Sequence, residues 1–73
     1  MRTREAVREA RRRWGIYGWA ERRLGVGLVP IGVVGSKTPD CDGVLADRTY
    51  GIGRSFEEAF EESHRQIIPG EVR

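Results

Sequence analysis

Apolar residues recur along this chain with two different periods, and the change from one to the other marks out its elements. Over residues 4–14, Ala6, Val7, Ala10 and Trp14 fall on one side of a helix, with Arg4, Arg8, Arg11 and Arg12 around the rest. Thr3 stands where an N-cap belongs, and Gly15 ends the run. The period shortens to two over residues 16–21, which places Tyr17, Trp19 and Glu21 on one face of a strand and Ile16, Gly18 and Ala20 on the other. Arg23, Leu24 and Gly25 predict a hairpin turn into the β-branched run 26–34, where Pro30, having no N–H to give to a ladder, predicts an edge or a break. Residues 35–43 are rich in turn formers and predict one long, mobile loop. In the third strand pattern, residues 44–52, the even positions Val44, Ala46, Tyr50 and Ile52 suit a buried face, while Asp47 and Thr49 suit the other.

The second helix carries the clearest signals. Ser55 followed three residues later by Glu58 is a capping box: the hydroxyl accepts from the Glu58 amide and the carboxylate reaches back to the Ser55 amide. From Phe56 onward, Phe56, Ala59, Phe60 and Ile67, with small Ser63, form one stripe at 3.6 residues per turn, and Pro69-Gly70 ends the helix. The order is helix, strand, strand, strand, helix. The expected fold class is therefore α+β, a single small domain in which a three-stranded antiparallel sheet is packed on one face by the C-terminal helix.

Composition narrows the picture further. A chain of 73 residues lies near the lower limit at which one core holds a fold, so oligomerisation is an expected source of extra stability. A lone cysteine, Cys41, has no internal disulfide partner and suits a reducing cytoplasm. The start Met1-Arg2-Thr3-Arg4 leads into a charged segment, and the longest apolar run is broken by Gly27, Pro30 and Gly32, so neither a signal peptide nor a membrane span is expected. The net charge of +2 conceals a polarity. Residues 1–23 hold eight Arg against three Glu (+5), whereas residues 24–73 hold five basic against eight acidic residues (−3). Lys37 is the one lysine among 13 basic residues, a bias that GC-rich coding explains as readily as nucleic-acid contact does.

The candidates for chemistry are each weaker than their plain reading. Gly51-x-Gly53 lies between strand and helix like a phosphate-binding loop, but Phe56 stands where a third glycine belongs, and Glu57 and Glu58 would repel a phosphate. Turn glycines are the better reading. Asp40, Cys41, Asp42 and His64 fall short of a zinc ligand set, and Cys41 with His64 has no third orienting group. No catalytic, cofactor or metal residue is expected. Glu57, Glu58, Glu61 and Glu62 are different, because on a helix they make a contiguous acidic face turned away from Phe56, Ala59 and Phe60. Such a face is usually only solvated, yet it can also steer binding to a basic partner surface. The Arg-rich first helix, with Arg8, Arg11 and Arg12, has two readings: it binds phosphate, or it pairs with that acidic face in the same or a neighbouring subunit.

Two family resemblances bear on function. Residues 39–43, Pro-Asp-Cys-Asp-Gly, and residues 53–59, Gly-Arg-Ser-Phe-Glu-Glu-Ala, resemble the Pro-Asp-x-x-Gly and Gly-x-Ser/Thr-x-x-Glu-Ala pieces of HicB-type antitoxins. That resemblance implies a catalytically dead, ribonuclease-H-like module that masks the active site of a small toxin. The spacer between the pieces is longer here, and the first helix is an addition. The element order and length are also similar to the double-stranded-RNA-binding domain, whose second helix opens with lysines that meet phosphates. Glu57 and Glu58 occupy that opening here, which removes the family's main electrostatic contact. The resulting expectation is a cytoplasmic, non-enzymatic protein that masks or inhibits a protein partner with a basic surface, antitoxin-like or in the manner of a phage inhibitor of a bacterial defence nucleoprotein. RNA or DNA binding through the Arg-rich helix stands second, and a small structural or oligomerisation protein third.

Overall fold

The computed structural model describes residues 1–63, so the expectations placed on His64, Ile67, Pro69 and Gly70 lie outside the described residues. Within them the elements are α1 (Thr3–Trp14), β1 (Gly18–Leu24), β2 (Pro30–Pro39), β3 (Leu45–Gly53) and α2 (Phe56–Ser63), the α-β-β-β-α order read from the sequence. The three strands form one antiparallel sheet in the order β1-β2-β3.

Several boundaries move, each for a local reason. Arg2 rather than Thr3 precedes the first helical turn, and the Glu5 carboxylate accepts from the Arg2 amide at 2.8 Å, so a reach-back carboxylate replaces the hydroxyl cap. After Trp14 the chain makes a short 3₁₀ turn over Gly15–Tyr17, which delays the first strand to Gly18. Its hairpin turn then falls at Val26–Leu28, not at residues 23–25, and Gly27 and Leu28 take positive φ there. Pro30 is the first residue of the central strand, a position whose N–H need not join a ladder. The long loop is a shorter one. Residues 35–39 continue β2, because Lys37, Thr38 and Pro39 pair with Asp47, Ala46 and Leu45 across a bulge that follows Ser36. What remains is a turn in which the Asp40 carboxylate accepts from the amides of Asp42 and Val44 at 2.8 and 2.9 Å.

The largest correction concerns which face of the sheet is covered. Both helices lie on the same face, α1 against β1 and α2 against β3 and β2. The register aligns Ala20, Val34 and Gly51 across the three strands, with Gly18, Ser36 and Thr49 on one side and Arg22, Gly32 and Gly53 on the other. In β3 it is therefore the odd positions Gly51 and Gly53 that are buried under the helices, while Val44 and Ile52 of the expected buried face are exposed. Close approach is the reason. A Cβ on Gly51 would meet the Ala59 carbonyl oxygen at 2.1 Å, and one on Gly18 would meet the Ala10 carbonyl oxygen at 2.3 Å. Two helices can sit this low only on a sheet face of small residues.

The core between the layers is Ala6, Ala10, Val34, Phe56, Ala59 and Phe60, with Trp14 and Ala20 against it. The Trp14 and Phe60 rings lie 5.8 Å apart, and the guanidinium groups of Arg13 and Arg22 cover the outer faces of Phe60 and Phe56 at 4.6 and 4.7 Å. Ser55 and Glu58 cap α2 as the spacing predicts, with one change. The Glu58 amide donates to Ser55 Oγ at 3.2 Å, but the Glu58 carboxylate accepts from the Arg54 amide at 3.0 Å rather than from that of Ser55.

Candidate functional site

The residues singled out for partner contact sit on the outer surface of the helical layer. Glu57, Glu58 and Glu61 are exposed on α2, whose opposite side buries Phe56, Ala59, Phe60 and Ser63. Glu62 is only half-buried and is itself engaged, so it belongs less to the open face than its spacing implies. Glu58 is committed to the cap. Glu57 takes an ion pair from the Met1 α-amino group at 2.9 Å, and its carboxyl is held below the usual range chiefly by that hydrogen bond, with the nearby Arg22 charge adding to it. Glu61 carries no such commitment.

On α1, Arg8, Arg11 and Arg12 are exposed, but they are not equivalent. Arg12 donates to Glu9 at 2.5 and 3.0 Å, and Arg13 donates to the same carboxylate at 2.6 Å. The Arg12 hydrogen bond, then that of Arg13, lower the Glu9 carboxyl to about 2. Arg4, Arg8 and Arg11, three and four residues apart, form a solvent-facing ridge, and among the described residues none of the three has an ion pair. The Met1 amine bridges to Glu57 in the first turn of α2, while Arg12 and Arg13 both pair with Glu9 within α1.

Between the helices runs an open groove lined by Met1, Glu9, Arg13, Ser55, Glu57, Glu58, Phe60 and Glu61. Glu9 is the residue that sequence reasoning missed. Its spacing to Arg12 and Arg13 was legible, but its position beside the α2 carboxylates depends on the two helices sharing one sheet face. The groove gathers four carboxylates from two helices, with Arg13 and the Met1 amine beside them.

The other sequence candidates are dispersed. Cys41 is exposed at the β2–β3 turn, the Asp40 carboxylate is occupied by turn amides, and among the described residues no cluster of three or more His, Cys, Asp or Glu side chains is placed to hold a metal. Gly51 and Gly53 face α2 and serve its approach to the sheet. Among the described residues no helix is long and apolar enough to cross a membrane.

A second surface lies on the face of the sheet opposite the two described helices. There the Trp19 ring lies across Gly35, close enough that a Cβ on that glycine would meet it at 2.9 Å, and Trp19 meets Tyr50 at 6.2 Å between ring centroids. Beside them, Glu21, Val33 and Ile52 align across the sheet. No protein-family model, no curated protein and no solved structure matches this chain.

Proposed function

We propose that this chain is a non-enzymatic binding protein that masks a basic surface on a protein partner through the acidic groove and outer face of α2. The observation that carries the reading is the convergence of Glu9, Glu57, Glu58 and Glu61 on one groove between two rigid helices, with Glu61 left uncommitted at its rim. A helix fixed by its cap and by a core stripe holds these charges in a constant arrangement, which lowers the ordering cost of a charge-matched contact. The HicB-type resemblance points the same way, toward a mask laid over the active site of a small toxin. The Arg4, Arg8 and Arg11 ridge supports RNA or DNA binding as the second reading. Against that reading, the groove beside α1 gathers the carboxylates of Glu9, Glu57, Glu58 and Glu61, which repel a polyanion.

The experiment compares proteins retained from a bacterial lysate by the wild-type chain and by Glu61→Lys, and measures duplex RNA and DNA binding of the wild type at physiological salt. The reading expects a basic protein that is retained by the wild type, is released by added salt and is lost with Glu61→Lys, together with weak duplex binding. Tight duplex binding that falls on changing Arg8 and Arg11 to Ala would overturn it in favour of the second reading.

A further inference from the structure

We infer that the turn of the β1–β2 hairpin is a lipid-docking tip, which buries its apolar side chains in the surface layer of a membrane with anionic headgroups. Turns at a molecular surface are ordinarily built from Gly, Pro, Asn, Asp and Ser. Here residues 24–30 read Leu-Gly-Val-Gly-Leu-Val-Pro, with no polar side chain, and Leu24, Val26, Leu28 and Val29 are all exposed, Val26 at 99%. An exposed apolar run of this length is a fault unless it serves contact. The turn backbone is closed by hydrogen bonds from the Gly25 amide to the Val29 carbonyl at 2.7 Å and from the Leu28 amide to the Gly25 carbonyl at 3.0 Å. Leu28 is held there at φ 61°, the one non-glycine residue at positive φ among those described. That strain keeps a large apolar side chain at a place where glycine or asparagine would fit more easily.

Shape and charge favour a lipid surface over a protein pocket. The ladder between β2 and β3 ends at Gly32 with Gly53, while the hairpin of β1 and β2 runs on. Val29 lies three residues beyond Gly32, about 10 Å at roughly 3.3 Å per residue, which matches the depth of about 5–10 Å to which interfacial segments sink. A protein pocket reads a fixed side-chain shape, whereas Val26 has almost no neighbour to fix its rotamer. Fluid acyl chains require no fixed shape. At the base of the tip, Arg22 stands on the helical face of the sheet and Arg23 on the opposite one, beside Gly32 and Ile31. Arg54 follows Gly53, is exposed and has no ion pair among the described residues. Of the carboxylates at this end, Glu21 pairs with Arg23, Glu57 pairs with the Met1 amine, and Glu58 closes the α2 cap. Three guanidinium groups behind an apolar tip suit anionic headgroups.

This inference is independent of the masking reading, and its test uses the purified full chain with no protein partner. Flotation with vesicles of phosphatidylcholine, with and without phosphatidylglycerol, is the measurement. It compares the wild type, Val26→Ser, Leu28→Asn and the double variant Arg8→Ala/Arg11→Ala, with circular dichroism to establish that each is folded. The two tip changes leave the net charge alone and remove no buried side chain, and asparagine tolerates positive φ. The wild type should float with vesicles that contain phosphatidylglycerol, and the double variant should bind as it does. Each tip variant should bind at least about tenfold more weakly, as the loss of an embedded valine or leucine side chain implies. A wild type that floats with neither vesicle would overturn the inference in favour of a protein occupant, which is a second copy if the chain is dimeric and Val26→Ser makes it monomeric. Binding that the double variant loses and both tip variants keep would overturn it too, because the α1 ridge would then hold the lipid.

Discussion

Gly51 shows how much a single missing side chain decides here. Its backbone lies under Ala59 and Ser63 of α2, and a Cβ would come to 2.1 Å from the Ala59 carbonyl oxygen and 2.9 Å from the Ser63 amide. Both neighbours are backbone atoms of a packed helix, so neither can swing aside as a side-chain end would. Gly51→Ala should therefore destabilise by at least about 1–3 kcal/mol as α2 is forced off the sheet, although alanine is ordinarily the smallest of changes. Chemical denaturation would measure it, and an unchanged midpoint would mean that α2 does not sit this close. At Leu28 the opposite situation holds: a bulky residue takes φ 61° in a turn where its side chain is 74% exposed, so the strain is not repaid by burial within the chain.

Within the elements, helix ends and helix faces follow local chemistry closely. On α1, Glu9 is bridged by Arg12 and Arg13 one turn further along, the favourable order for an acid preceding its base. Since its carboxyl is lowered to about 2 from an ordinary 4.5, the folded state binds its proton less readily than the unfolded state does. The contribution is therefore fully present above about pH 4.5 and is lost as pH falls toward 2. Glu9→Gln should melt below the wild type at neutral pH, and the two should converge on acidification, with a difference modest at every pH because the pairs face solvent. Thermal melts at a series of pH values check this, and a gap that widens toward pH 2 would contradict the assignment. On α2, the reach-back of Glu58 to the Arg54 amide instead of the Ser55 amide is a shift by one residue within the same capping logic.

At the scale of the whole molecule, one small cluster holds the two layers together. Phe60 is 3% exposed, meets Trp14 of α1, and is covered by Arg13, so it joins both helices as well as the sheet core. Phe60→Ala should cost roughly 3–5 kcal/mol, which is comparable to the entire stability of a domain this size. The expected outcome is a chain largely unfolded at room temperature by circular dichroism. A variant that melts like the parent would show that the cluster is not the core. The charges divide on the same scale, with an arginine ridge along α1 and carboxylates along the groove at α2, both on the helical side, while the opposite sheet face has both signs beside Trp19, from Glu21, Arg23 and Lys37.

The sequence by itself determined the element order, the α+β class, both helices, the α2 cap and the acidic face, because each is written in spacing over one or two turns or in residues three apart. Pro30 marks a break, as its missing N–H requires, since β2 begins there. Thr3 and the turn-rich stretch after Gly35 misplaced boundaries, the first because Glu5 reaches back to the Arg2 amide and the second because turn propensity gave way to ladder pairing with Asp47, Ala46 and Leu45. The buried face of β3 was the instructive miss. Alternation alone favours the side bearing Val44, Tyr50 and Ile52, because large apolar residues ordinarily go inward. Only the tertiary structure decided otherwise: two helices share one face, their approach demands glycine and alanine beneath them, and the larger side chains are left to the open side. The same arrangement brought Glu9 to the groove and set Trp19 against Tyr50 across Gly35, juxtapositions between residues far apart in the chain that no local pattern encodes.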